Sequence, residues 1–306
     1  MKTQKLSDKR TTLEVISRYD FDFRKRFGQN FLVDEGVILR SLEAAQVGKN
    51  DVIFEIGPGI GTLTQYLSEA AHQVVSIEID RKLIPILQET LNDCDNVDVI
   101  NEDVLKVDLI GLARKYSAGR KSRCADDESG DEEHTLKIVA NLPYYITTPI
   151  LMNLFRKKVP AQSITVMVQK EVAERMTAQP GNKDYGSLSI AVQYYSKPRI
   201  VELVPPSSFV PHPKVTSAIV TMDLYEDLPV TARDETLFDA ITRAAFEQRR
   251  KTLINALSAS PSVPYGKEQI KNALNQLGFS ASIRGEKLSV EDFVLLSDAL
   301  ISQSCA

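Results

Sequence analysis

The chain has 306 residues, of which 43% are hydrophobic and 25% charged, a composition typical of one large or two medium-sized globular domains. A membrane-spanning helix needs about 18 consecutive apolar residues, and no stretch of the sequence is that long. No signal-peptide pattern is present. Three cysteines and three histidines are widely scattered, which predicts neither disulfides nor a metal site and favours a reducing cytoplasm.

The net charge of −4 disfavours a nucleic-acid partner at first sight, because a phosphate backbone attracts basic proteins. The charge is unevenly distributed, however. Acidic residues concentrate at 126–133, whereas basic residues concentrate at 24–26 and 249–251. Local patches of charge, rather than the net charge, therefore indicate which kind of partner the protein binds.

Short β-branched segments alternate with helical patterns from residue 51 to 223, which predicts a Rossmann-like α/β fold with seven strands. Strands are predicted at 51–56, 73–79, 97–101, 137–141 and 164–169, and near 199–204 and 217–223. Helices are predicted at 62–71, 81–91, 234–258, 267–277 and 290–302.

These elements predict a domain organisation. Residues 1–23 are expected to form a tail, 24–230 the sheet domain and 231–306 a smaller helical domain. Within the sheet domain, residues 116–135 are rich in Ser, Gly, Asp and Glu, which predicts an acidic surface insertion.

The segment Glu55-Ile56-Gly57-Pro58-Gly59-Ile60-Gly61 lies between a predicted strand and a predicted helix. Its G-x-G-x-G spacing and preceding acid favour S-adenosylmethionine over a dinucleotide. The next two strands end at Glu78 and just before Asp103, positions suited to a ribose and to an adenine amine. Each feature alone is also compatible with an ordinary turn or helix cap. Together they predict a cofactor site at the carboxyl ends of the strands.

The segment Asn141-Leu142-Pro143-Tyr144 follows the predicted fourth strand. The N6 amine of adenine is a poor nucleophile, because its lone pair is delocalised into the ring. An Asn side-chain oxygen and a backbone carbonyl beside proline can accept its two N–H bonds and free the lone pair. A Tyr ring can stack on a base taken out of its helix. The alternative is a proline turn with a packed aromatic ring.

Five segments together resemble the ribosomal RNA adenine dimethyltransferase family, on its small-subunit branch. They are residues 25–32, the glycine turn at 55–61, residues 141–144, the Pro-rich segment 205–215 and residues 246–253. The likeness covers about residues 24 to 300. Two departures are Tyr145, where the family more often has Asn, and the long insertion at 116–135.

The resemblance implies a methyltransferase that dimethylates two adjacent adenosines in a 3′-terminal hairpin of small-subunit rRNA within a pre-30S particle. It further implies a monomer without a metal, in which 231–306 bind RNA. Cofactor contacts are implied for Asn30, Leu32, Gly57, Glu78, Asp103 and Asn141. Tyr144 and Phe209 are implied to bracket the target base, and Lys25, Arg26, Arg249, Arg250 and Lys251 to contact RNA.

Alternatives remain at this point. The basic residues are also compatible with solvated surfaces, and Phe209 with a core position. A related methyltransferase that modifies the large subunit and confers macrolide resistance shares the glycine turn and the Asn-x-Pro-Tyr element. A non-catalytic RNA-binding factor of the same fold is a third possibility, against which the intact 141–144 element argues.

Overall fold

The computed structural model describes residues 4–19, 30–117 and 134–304. Lys25 and Arg26 lie outside these residues, as does almost all of the predicted insertion. Its two flanks are described, and His134 N–H donates to the Ser117 carbonyl at 3.4 Å. The two ends of the predicted insertion therefore lie close to each other.

The elements follow one another in the order expected for an α/β domain and then a helical region. The helices are α1 (Lys9–Arg18), α2 (Glu35–Ala44), α3 (Thr62–Ala70), α4 (Ile84–Thr90), α5 (Leu109–Ser117), α6 (Thr147–Arg156), α7 (Lys170–Thr177), α8 (Ser187–Tyr195), α9 (Glu235–Glu247), α10 (Leu253–Ser258), α11 (Lys267–Gln276) and α12 (Val290–Ser304). The strands are β1 (Phe31–Leu32), β2 (Asp51–Ile56), β3 (Gln73–Glu78), β4 (Val97–Asn101), β5 (Thr135–Asn141), β6 (Ser163–Gln169), β7 (Ser196–Val204), β8 (Phe209–Val210) and β9 (Ser217–Leu224). Short 3₁₀ turns lie at Pro206–Ser208 and Gly285–Lys287.

The main sheet has seven strands in the order β4-β3-β2-β5-β6-β9-β7, which confirms the predicted fold class. The strands from β4 to β6 are parallel, whereas β9 runs antiparallel to β6. All six residues of β2 are buried, as expected for a central strand covered by helices on both faces. This arrangement brings the carboxyl ends of β2 to β6 to one edge.

The N-terminal region is not a tail over the described residues, which corrects the prediction for 1–23. Asp8 caps α1 by accepting from Arg10 N–H at 3.1 Å. Leu6, Val15 and Ile16 are buried in one cluster with α4 and Phe31. The prediction failed because the segment has few apolar residues, and their burial in a cluster formed by distant residues stabilises the helix together with the Asp8 cap.

The chain forms two compact units. Unit 1 comprises 1–173 and 199–224, and unit 2 comprises 174–198 and 225–306. Residues 174–198 therefore group with the C-terminal helices rather than with the sheet, because Tyr185, Ile190 and Tyr194 are buried in that unit's core. No helix in the described part of the chain is long and apolar enough to cross a bilayer.

One predicted helix, 234–258, is broken in the structure. It ends at Glu247 and resumes at Leu253 as α10. Arg249, Arg250 and Lys251 therefore lie in the turn between two helices and not on a helix face, which corrects the prediction. Lys251 N–H donates to the Gln248 carbonyl at 2.9 Å, which closes this turn.

Candidate active site

A pocket lies at the carboxyl edge of the sheet in unit 1. It is lined by every residue for which cofactor contact was predicted, together with the predicted catalytic turn. These residues are Asn30, Leu32, Gly57, Glu78, Asp103, Asn141, Leu142, Pro143 and Tyr144. The glycine turn, Glu78, Asp103 and the turn at 141–144 end or follow parallel strands at one edge of the main sheet, and Asn30 and Leu32 join them from the segment of β1.

The glycine turn between β2 and α3 forms one wall. Gly57, Gly59 and Gly61 have φ values of 72°, 62° and 93°, in the left-handed region that side chains rarely adopt. A Cβ atom at Gly59 would lie 3.1 Å from the Phe31 ring. Glycine is therefore required at this position both for the backbone angle and for the close approach of Phe31.

Glu78 ends β3 and is 5% exposed. Its Oε1 accepts from Asp80 N–H at 2.8 Å and its Oε2 from Gly59 N–H at 3.2 Å. Burial raises the pKa of this carboxyl to about 7, although both backbone hydrogen bonds act in the opposite direction. Each oxygen retains acceptor capacity, so the carboxylate can take two hydroxyl donors.

Glu55 is a second buried carboxyl group beside the pocket, and sequence analysis noted it only as the acid that precedes the glycines. Its Oε2 accepts from Thr64 Oγ1 at 2.6 Å and from Ser76 Oγ at 2.8 Å. Burial raises the pKa of Glu55 to about 7, and the nearby Glu78 acts in the same direction. Two acidic groups that titrate near neutrality thus lie next to each other.

Asp103 follows β4 and is only partly buried. Its Oδ1 accepts from Leu105 N–H at 3.0 Å, and its backbone carbonyl accepts from Lys106 N–H at 2.8 Å. The carboxylate therefore stabilises a local turn and also faces the pocket.

The turn Asn141 to Tyr144 forms the opposite wall. Asn141 ends β5, and its Nδ2 donates to the Asn30 carbonyl at 3.3 Å. Leu142 N–H donates to the Met167 carbonyl at 3.2 Å. The Pro143 carbonyl accepts from Ile146 N–H at 3.1 Å at the start of α6. These contacts hold the turn in place through the Asn141 side chain, the Leu142 N–H and the Pro143 carbonyl.

Tyr144 presents its ring to the pocket and its hydroxyl to the protein. The hydroxyl lies 2.6 Å from Ser217 Oγ at the start of β9. Burial raises the pKa of the phenol, so it stays protonated at neutral pH. Sequence analysis did not find Ser217, because nothing in its local pattern links it to a tyrosine 73 residues away.

Phe209 is not brought into the pocket. Its ring is fully buried, and its backbone is paired with that of Leu32 in the two-stranded sheet of β1 and β8. Phe209 belongs to the core cluster that contains Leu32, Met167 and Ile219. Phe209 is therefore a core residue in this structure, and its ring has no exposed face on which a base could stack.

Two features of the pocket fit S-adenosylmethionine. At Gly57 a Cβ atom would have only Pro143 Cδ within 4 Å, at 3.9 Å, so the glycine leaves open space between two walls of the pocket. Thr62 Oγ1, on a pocket-lining residue, is buried without a hydrogen-bond partner among the residues that the structure describes. An unpaired buried hydroxyl costs about 1 to 3 kcal/mol, so it fits a pocket whose ligand supplies a polar partner. Both observations agree with the cofactor.

In unit 2, three loops meet at one surface, here called the three-loop surface, which consists of residues 179–185, 248–252 and 280–287. Arg249 Nη2 donates to the Tyr185 carbonyl at 3.0 Å and lies 3.8 Å from Glu286. Gly181 N–H donates to the Glu286 carbonyl at 2.7 Å. Arg249 therefore connects all three loops.

The exposed basic residues of the three-loop surface outnumber its acidic ones. They are Lys183, Arg249, Arg250, Lys251, Arg284 and Lys287, against Asp184 and Glu286. Sequence analysis found the run at 249–251 but missed the other three, which lie far away in the chain and come together only through loop contacts. The concentrated positive charge is suited to phosphate groups.

The fold and this pocket define the class of Rossmann-like methyltransferases. The chain belongs to the ribosomal RNA adenine dimethylase family, whose model matches residues 20–301. A relative named ribosomal RNA small subunit methyltransferase A, from Lachnoclostridium phytofermentans, is 51% identical over 296 residues, which cover 96% of this chain and 97% of the relative.

Two solved structures have the same fold. One is a dimethyladenosine transferase from Plasmodium falciparum, with a TM-score of 0.69 and 26% identity over 87% of this chain and 95% of that one. The other is the 23S rRNA methyltransferase ErmE, with a TM-score of 0.62 and 24% identity over 89% of this chain and 100% of that one.

Proposed function

We propose that the chain transfers methyl groups from S-adenosylmethionine to the N6 amine of adenosine in small-subunit rRNA and produces dimethyladenosine. The observation that carries this proposal is a shared pocket. The turn from Asn141 to Tyr144 lines the same cavity as Gly57 and Glu78, which are the predicted cofactor contacts. Nucleophile and methyl donor can therefore meet there, and positioning supplies a large part of the rate.

The residues that line the cofactor site have separate roles in binding. When bound, S-adenosylmethionine supplies a sulfonium-activated methyl group together with its own leaving group. Glu78 accepts from the ribose hydroxyls and Asp103 from the adenine amine of the cofactor. The glycine turn admits the ligand close to the backbone. Asn30 and Leu32 form the side of the pocket next to Asn141.

Two acceptors shape the target amine. Asn141 Nδ2 is already engaged by the Asn30 carbonyl, so Oδ1 is oriented towards the substrate. The second acceptor is the Leu142 carbonyl, which directly precedes Pro143 in the turn that lines the pocket. The Pro143 carbonyl is used by α6. Accepting both N–H bonds draws the amine towards tetrahedral geometry and directs its lone pair at the methyl group.

Tyr144 contributes the face on which the extruded base stacks. Its hydroxyl is bonded to Ser217, so the ring rather than the hydroxyl contacts the substrate. Stacking holds the base in the pocket while Asn141 and Leu142 bind its amine. Tyr145, which is 55% exposed, lies at the rim of the same pocket.

The RNA partner is expected to be the small-subunit rRNA in a pre-30S particle, with two adjacent adenosines of a 3′-terminal hairpin as targets. The 51% identity to the small-subunit relative supports this branch over the large-subunit one. The three-loop surface supplies phosphate contacts at Arg250, Lys251, Arg284 and Lys287. We expect a cytoplasmic monomer that also takes part in subunit biogenesis.

Mapping of methylated nucleotides tests the proposal. Small subunits and large subunits are isolated from cells that lack the protein, incubated with purified protein and S-adenosylmethionine, and analysed by primer extension. We expect dimethyladenosine at two adjacent positions in small-subunit rRNA and none in large-subunit rRNA. The Asn141→Ala protein is the matched control for contaminating activity. Modification of the large subunit instead would assign the chain to the rival function.

A further inference from the structure

Strand register brings Ser217 to the catalytic turn. Asn141 of β5 is paired with Met167 of β6, which is paired in turn with Ile219 of β9. Two residues further towards the carboxyl edge, Gln169 is paired with Ser217. Because β9 is antiparallel to β6, its first residue rather than its last lies at this edge, beside the turn that follows Asn141.

The contact between Ser217 and Tyr144 is short, and its serine is fully buried. Ser217 Oγ lies 2.6 Å from the Tyr144 hydroxyl, and Ser217 is 0% exposed. The phenol is protonated at neutral pH, so it can donate while the serine oxygen accepts. Ser217 does not line the pocket, whereas the Tyr144 ring does.

The hydrogen bond holds the end of the ring that is furthest from the backbone. A tyrosine ring rotates about two side-chain bonds, and stacking on a base requires one particular ring plane. The backbone of the turn holds the Cβ end of the Tyr144 side chain, and the bond to Ser217 holds the hydroxyl end. The ring plane is thus set before the base arrives, which lowers the ordering cost of binding.

We propose that Ser217 is a positioning residue for adenine: it sets the tilt of the Tyr144 ring and acts on the target base only through that ring. This inference rests on the proposed function and adds a specificity-determining residue to it. Ser217 contacts neither the cofactor nor the base in this role. Its effect should therefore appear in base placement and not in cofactor affinity.

The test is a double-mutant cycle of Ser217→Ala, Tyr144→Phe and the combined variant. Both single changes remove the same hydrogen bond from opposite ends, so a folding defect of one is checked by the other. Thr221→Val is the matched control, because Thr221 on the same strand forms a buried hydroxyl contact of 3.1 Å with Thr165. It removes a hydroxyl pair of the same kind away from the turn.

Two measurements are made on each variant. The first is fluorescence of small subunits that carry 2-aminopurine in place of a target adenosine; this base lacks the 6-amine and reports stacking without reaction. The second is the KM and kcat for unmodified small subunits. Calorimetry with S-adenosylmethionine serves as the reference for an intact pocket.

Support for the inference consists of weaker 2-aminopurine quenching and a drop of about three- to tenfold in kcat/KM in both single variants, the range for loss of one hydrogen bond. The combined variant should be no worse than either single one, and cofactor affinity should be unchanged. Wild-type quenching in Ser217→Ala, multiplicative effects, or an equal loss in Thr221→Val would overturn it. Failure of the proposed function would differ, because the wild-type protein itself would then leave small subunits unmethylated.

Discussion

The side-chain nitrogen of Asn141 donates a hydrogen bond to the backbone carbonyl oxygen of Asn30 at 3.3 Å. A rotated Asn141 amide would place its own oxygen against that carbonyl oxygen, so the contact selects one orientation. In this orientation Oδ1 can accept from the target amine. A segment that precedes the sheet thus orients the acceptor at the end of β5.

Replacing Asn141 should therefore remove catalysis without removing RNA binding. We expect Asn141→Ala to lower kcat by about two to three orders of magnitude, comparable to loss of an oxyanion-hole group. Asn141→Asp should also lose activity, since its carboxylate cannot donate to the Asn30 carbonyl. Single-turnover transfer to unmodified small subunits measures both, scored separately for mono- and dimethyladenosine. A normal rate in Asn141→Ala would make the turn purely architectural.

Cofactor affinity should depend on Glu78. Glu78→Ala removes the buried acceptor for the ribose hydroxyls, and we expect binding of S-adenosylmethionine to weaken by roughly one to two orders of magnitude. Calorimetry at pH 8, where the carboxyl is ionised, measures the change. Asp98→Ala is the control, since Asp98 is an exposed acid on the neighbouring strand β4. Unchanged affinity in Glu78→Ala would refute the assignment.

Glu55 should make the stability of the protein depend on pH. Its pKa in the folded state is about 7, above the ordinary value of 4.5, so between these values the folded protein retains a proton that the unfolded chain releases. The free energy of unfolding should accordingly fall as pH rises from 4.5 to 7 and then level off.

The variant Glu55→Gln removes this contribution. We expect it to raise the free energy of unfolding at pH 8 by about 1 to 3 kcal/mol and to have much less effect at pH 5. Urea denaturation at the two pH values measures the difference. Glu43→Gln, at an exposed position on α2, should change neither value. Equal effects of Glu55→Gln at both pH values would contradict the assignment.

The three basic residues at 249–251 should have two different roles, one in stability and one in RNA binding. Arg249 bonds to Tyr185 and Glu286, so Arg249→Ala should lower the melting temperature of the protein. Arg250→Ala and Lys251→Ala should leave the melting temperature unchanged. Each should instead reduce the log-log salt slope of particle binding by about 0.7 to 0.9. A wild-type slope in both variants would show that these side chains are merely solvated.

Much of the fold and part of the pocket follow from local sequence signals. The strands at 51–56 and 97–101 have the predicted bounds, because continuous β-branched runs end at turn residues. The glycine turn, Glu78 and Asp103 were predicted as a group, since parallel strands deliver their ends to one edge, and Asn141 was predicted from the chemistry of the N6 amine. Side-chain chemistry and strand order were sufficient for these residues.

The rest depends on contacts between distant segments. Ser217 reaches Tyr144 only through the antiparallel register of β9, and Arg249 engages Tyr185 only because two loops of unit 2 meet. The burial of Phe209 depends on its pairing with Leu32 across a two-residue strand that has no periodicity. No window of sequence contains these partners, so no local pattern could have predicted them.

The chain passes between unit 1 and unit 2 three times, near residues 173, 198 and 224. The C-terminal region is therefore not an exchangeable cassette. A protein shortened to residue 230 would keep Tyr185, Ile190 and Tyr194 but lose the helices that bury them. Chimaeras that aim to exchange RNA specificity between family members should therefore transfer 174–198 together with 225–306, because the two segments share one core.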